Sequence, residues 1–215
     1  MYSLVRHPIA SRYRSLVVST APSVEPISVS EAKDHLRVID YTGDDAYIAT
    51  LVTAARQWCE DYCDRTFADQ AYTVAFDDFW ASRIELPRPP VRLNSVTASA
   101  TVTINYVDTG GTTQTLTWSQ SGTQNFRLDR DHVPALIYPL YQEVWPSVRL
   151  DEASVRITYL AGYGAATNVP KPAVHAMKLL IGHWYAMREA AGPSMQNIPL
   201  GVAALLDPLK WKQYA

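Results

Sequence analysis

The chain has 215 residues, 47% of them hydrophobic and 19% charged, with a formal net charge of −2. That length suits one ample core or a core with a lobe, and that composition belongs to a folded globular chain, not a disordered one. The near-neutral charge excludes a general nucleic-acid-coating role.

The apolar run over 173–191 is interrupted by His175, Lys178, His183 and Arg188, which excludes a membrane span. Residues 1–24 hold Arg6, Arg12 and Arg14 with no acidic residue and no apolar segment of a secretory signal. They read as a basic arm, either loosely ordered or ordering against a neighbouring subunit. Removing such an arm is expected to leave the melt of the core unchanged.

Ser28 and Glu31 form a capping-box pair that starts a short helix ending near Asp40. Asp44 or Asp45 caps a second helix to about Asp64. Its apolar stripe is Ile48, Leu51, Val52, Ala55, Cys59 and Tyr62, and Arg56, Gln57, Glu60 and Asp61 are expected on its outer face. From Gln70 the period falls to two. Tyr72, Val74 and Phe76 mark one strand, 83–86 a short one, and 102–107 with 113–118 a hairpin about Gly110-Gly111. Short strands are expected at 126–128 and 135–138, and a longer one over 153–160. Gly162-Tyr163-Gly164 ends that strand, and Pro170 and Pro172 open a third helix through Val174, Met177, Leu180, Ile181 and Trp184. Val202, Leu205, Leu206 and Leu209 recur at helical spacing near the end.

No arrangement for chemistry emerges. Cys59 and Cys63 are the only cysteines, which excludes a disulfide framework and fits a reducing, intracellular setting. Spaced four apart, they lack the further Cys or His that a zinc site needs, and they read as buried thiols. His7, His35, His132, His175 and His183 are scattered. The carboxylate pairs Asp44-Asp45, Asp77-Asp78 and Asp151-Glu152 are adjacent in sequence, so their side chains diverge. Gly162-Tyr163-Gly164 lacks the third glycine and the βαβ setting of a nucleotide loop. No catalytic, cofactor or metal residue is assigned, and the chain reads as no enzyme. The tail 205–214 either docks on the chain's own core or is offered to a partner.

Several phrases recur in a recognisable order. They include Pro26-Ile27-Ser28-Val29-Ser30-Glu31-Ala32, Asp44-Asp45-Ala46-Tyr47-Ile48, and Ala54-Ala55-Arg56 leading to Arg65-Thr66. Leu86-Pro87 with Pro90-Val91, Tyr106-Val107-Asp108, Trp145-Pro146 and Tyr159-Leu160-Ala161-Gly162-Tyr163-Gly164 follow, then Val169-Pro170 and Pro199-Leu200-Gly201-Val202. From about residue 26 to 211 the chain resembles the head–tail connector, or adaptor, proteins of long-tailed phages, prophages and gene transfer agents. It departs from them in its long leader and in the long, Thr-rich stretch 94–124.

The resemblance implies an α+β fold, an α-helical bundle from N- and C-terminal helices with an inserted antiparallel β-rich lobe. The divisions are an arm at 1–24, a bundle from 25–69 and 162–198, a β-rich insertion at 70–161 and a docking segment at 199–215. It implies a virion part at the head–tail junction, assembled in the bacterial cytoplasm, with no cofactor and no membrane. The implied partners are the portal protein, stopper or tail-terminator proteins, and further copies in a ring of twelve through which DNA passes. Leu205, Leu206, Leu209, Lys210, Trp211, Lys212 and Tyr214 are the candidate portal-docking residues, and Arg6, Arg12 and Arg14 the candidate inter-subunit arm. Removal of 205–215 is expected to leave a folded chain. Twelve copies at −2 each carry about −24 in formal charge, which suits weak, passing contact with DNA and not a grip on phosphates. The alternatives are a tail-completion or baseplate protein, or an enzyme acting on cell-wall sugars.

Overall fold

The computed structural model describes residues 13–92, 101–119, 122–187 and 200–211. Two hydrophobic cores organise them, one helical and one made by strands.

The helical core uses both ends of the chain. Helix α1 (Val29–Leu36) begins at the expected capping box: Glu31 N–H donates to Ser28 Oγ at 3.1 Å, and Ser28 N–H donates to Glu31 Oε2 at 2.9 Å. It ends earlier than its sequence suggests, because Arg37 takes a left-handed conformation at φ 60°. Helix α2 (Asp45–Cys63) buries Ile48, Leu51, Val52, Ala55, Cys59 and Cys63. Helix α3 (Lys171–Ala186) and helix α4 (Leu200–Leu206) complete the bundle. Ala173, Ala176, Met177, Leu180 and Ile181 of α3 meet Val202 and Leu206 of α4 in one cluster with α1 and α2.

The intervening lobe contains two antiparallel sheets. The larger has strand order β1-β2-β8-β4-β5, from β1 (Ser15–Thr20), β2 (Gln70–Phe76), β8 (Val155–Ala161), β4 (Thr101–Val107) and β5 (Thr113–Ser119). The smaller has order β3-β7-β6, from β3 (Ile84–Glu85), β7 (Leu136–Tyr138) and β6 (Arg127–Asp129). Alternation decides which side chains go inward. Tyr72, Val74 and Phe76 of β2 face Tyr159, Ile157 and Val155 of β8, and Ile104 of β4 continues that row. These residues share a core with Ile84 and Ile137 of the smaller sheet. The opposite face carries Thr73, Thr158, Thr103 and Thr117 in one register.

The N-terminal arm differs from its sequence reading. Residues 15–20 pair with β2 as an edge strand, and Tyr13 and Leu16 pack on the lobe core. Leu16 is in register with Val74, so its apolar side chain has a buried neighbour to cover, and a strand follows.

Candidate assembly surfaces

The bundle and the lobe are joined by a polar network. Its centre is Glu60, on α2. Glu60 accepts from Arg56 Nη1 at 2.6 Å, from the N–H groups of Phe67 and Ala68 at 2.7 and 3.1 Å, and from Gln70 Nε2 at 3.2 Å. Arg56 also donates to Glu25 at 2.7 Å. Gln70, the first residue of β2, donates to the Tyr72 hydroxyl at 2.9 Å. Arg88 donates to the Glu60 carbonyl at 3.0 Å and to Asp61 at 2.8 Å. The expected outward position of Arg56 and Glu60 is therefore wrong, since both are buried. The reason is that the lobe returns over this face of α2 and supplies a partner for each charge. Burial pushes the Glu60 carboxyl above the ordinary carboxylate range, against Arg56 and the Phe67 and Ala68 N–H groups. Asp61 and Asp64 remain exposed and pair with Arg88.

Gly162-Tyr163-Gly164 makes the second connection, between β8 and α3. The Gly164 N–H donates to Asp69 Oδ1 at 2.7 Å, and Asp69 pairs with Arg92. Gly162 has φ +132°, and a Cβ there would sit 2.7 Å from Asp69 Cα. The motif is a strand-to-helix joint, as its sequence setting indicates.

The C-terminal segment folds back on its own chain. Leu206 is fully buried, and Leu205 and Leu209 pack against the same helical core. The Trp211 N–H donates to the Cys63 carbonyl at 3.0 Å, closing the segment over the end of α2. Leu206 thus belongs to the helical core, and removing 205–215 would take a buried side chain from it. Beside it lies a small, half-buried platform. Trp58 and Tyr62 stack with centroids 5.0 Å apart, Lys210 Nζ lies 3.7 Å over the Tyr62 ring, and Tyr62 donates to Asp207 at 2.9 Å. Tyr62 and Asp207 hold the Lys210 pKa above its ordinary value. The sequence places Lys210 and Trp211 in the docking segment but leaves Trp58 and Tyr62 out, because only the fold brings α2 beneath the tail. Lys212 and Tyr214 lie outside the described residues.

Of the candidate arm residues, Arg14 pairs within its own chain, with Glu152 at 2.9 Å and Asp77 at 3.4 Å. It anchors β1 to the lobe. Arg6 and Arg12 lie outside the described residues. Among the described residues no group of three His, Cys, Asp or Glu side chains is placed to hold a metal ion, and no helix is long and apolar enough to cross a membrane.

Residues 26–106, from the start of α1 through most of β4, match the family of phage gp6-like head-tail connector proteins. Over that segment the chain is similar to the head–tail connectors. Solved structures extend the likeness in fold beyond that segment. A chain in the neck of an empty gene transfer agent particle, computed with C6 symmetry, matches with TM-score 0.72 and 22% identity, covering 94% of this chain and 97% of that one. A chain in the virion of a native gene transfer agent particle matches with TM-score 0.71 and 22% identity, over 93% and 97%. A chain in the native neck, computed with C12 symmetry, matches with TM-score 0.68 and 21% identity, over 94% and 97%. No curated protein matches this chain. The matched family is one of head-tail connector proteins, and the neck chains are parts of gene transfer agent particles.

Proposed function

We propose that this connector forms a ring beneath the portal vertex, joins the capsid to the tail and lets DNA pass through its centre. It works by assembly and not by catalysis. The observation that carries the reading is the fold match over 94% of the chain to a neck chain, together with the connector family's pattern over residues 26–106. The buried Arg56–Glu60 network and the Gly162 joint fix the lobe on the bundle, which gives each copy the rigidity a ring wedge needs. The platform of Trp58, Tyr62 and Lys210, with Trp211 and the residues after it, is the portal-facing end. Stopper or tail-terminator proteins receive the opposite face, and assembly takes place in the bacterial cytoplasm. Net charge near neutrality suits a DNA path that does not bind its cargo tightly.

Co-elution with the particle's portal ring tests this. The purified chain is expected to travel with the portal. A Lys210→Glu, Trp211→Ala variant is expected to lose that association while remaining folded. A chain that ignores the portal and binds tail components would be a tail-completion protein instead.

A further inference from the structure

Both ends of the larger sheet are open. In the order β1-β2-β8-β4-β5, β1 and β5 are the edge strands, and among the described residues no further strand pairs with either. Soluble proteins blunt such edges with charges, prolines or bulges. Here β1 reads SLVVST and β5 reads TQTLTWS, with no charged residue and no proline in either. A register shift between Val18 and Thr20 ends the regular part of β1, leaving 15–18. Hydrogen bonds from Asn125 and to Thr123 cover the far end of β5, leaving 113–116. The two open stretches are equal in length.

Apolar surface adjoins each edge. At the β1 end, Val17 and Val18 are 56% and 46% exposed. At the β5 end, a cleft of mixed character is lined by Tyr106, Leu116, Val144 and Trp145 together with Asn125 and Glu143, with Val144 86% exposed. Trp145 Nε1 is buried there without a hydrogen-bond partner. Val18 and Leu116 belong to the same face of the sheet, since the register from Val18 through Tyr72 and Tyr159 and that from Ile104 to Leu116 both follow the core side. One copy thus holds two unlike patches at opposite ends of one sheet, on one face. Patches so arranged satisfy each other only between different copies.

We propose that copies of this chain join head to tail through the lobe, with the β1 edge of one copy against the β5 edge and Val144 cleft of the next. The occupant of the cleft side is a second copy of this chain, and the contact rests on the ring reading given above. Its strand direction follows from the topology. Each of the four pairings from β1 to β5 is antiparallel, so β1 and β5 run the same way. A heterologous contact about a ring axis keeps that sense and makes the new pair parallel, whereas a two-fold contact would place β1 against β1, antiparallel. Repetition of the contact closes a ring.

Cross-linking between two variants, each with one introduced cysteine, tests the proposal. Val18→Cys and Val144→Cys chains are purified separately, mixed with the portal ring, and treated with a short bismaleimide. Cys59 and Cys63 are buried, and burial pushes the Cys63 thiol up to about 11, so the introduced sulfurs are the reactive ones. The expected result is a link only in the mixture, with a ladder of higher multiples from the chain carrying both substitutions. A complex with the portal that yields no link between positions 18 and 144, or that links 18 to 18, overturns the edge contact and leaves the ring reading standing. A chain that keeps the mass of one copy and does not bind the portal overturns both. Val18→Asp is expected to weaken association between copies without changing the melt, and unchanged association would count against the edge contact.

Discussion

Arg56 and Glu60 meet at 2.6 Å on successive turns of α2, and each side chain is only 5% exposed. An ion pair this deep depends on the remaining partners, which come from Glu25 on one side and from Phe67, Ala68 and Gln70 on the other. Removing one member leaves a buried charge without its counterpart, at about 3–5 kcal/mol. Glu60→Ala is therefore expected to lower stability by that amount in urea melts. Arg56→Met with Glu60→Leu is expected to lose less than the sum of the single changes, because the charges go together. Additive losses would show that the two residues act independently.

The Gly162 joint makes a second prediction. Its φ of +132° and the close approach of Asp69 leave no room for a Cβ. Gly162→Ala is expected to cost more than about 1 kcal/mol. Gly201, where nothing lies within 4 Å of an added Cβ, is the control, and Gly201→Ala is expected to be neutral or mildly stabilising.

The capping box gives a pH dependence. The Ser28 backbone N–H holds the Glu31 carboxyl below its ordinary pKa. A depressed acid contributes stability that is present above the unfolded pKa, about 4.3, and is lost as pH falls through the folded value. Ser28→Ala is expected to cost about 1 kcal/mol at neutral pH. Glu31→Ala removes the titrating carboxylate itself, so its gap from wild type should narrow as pH drops below about 4, and a gap that widens would reverse the assignment.

Strand β1 and helix α4 both contribute to the packed cores. Leu206→Ala is expected to cost about 2–5 kcal/mol, since Leu206 is fully buried beside α2 and α3. Truncation through residue 24 removes β1 and should lower the melt below that of a chain starting at residue 13. Equal melts for the two truncations would mean that β1 adds nothing to the lobe.

The fold was legible where local chemistry decides it. The Ser28–Glu31 box, the stripe from Ile48 to Cys59 and the alternation in Tyr72-Val74-Phe76 each specify an element from neighbours in sequence. The misplaced residues are those whose partners lie far along the chain. Arg56 and Glu60 look like solvent residues until Gln70 and the Phe67 N–H arrive from the lobe. Residues 15–20 lack strand alternation, and only the register with β2 makes them a strand. The docking segment was visible as apolar spacing at Val202, Leu205, Leu206 and Leu209. Whether that stripe faces inward depends on α2 and α3, which is why Leu206 went to the core while Lys210 stayed beside Tyr62.

The central claim is a ring seated on the portal, and the mass of the complex tests it most directly. Light scattering on the chain alone, then on the chain mixed with the portal ring, reports how many copies bind. One connector copy per portal subunit is the predicted result. A portal whose mass does not change when the connector is added would contradict the account.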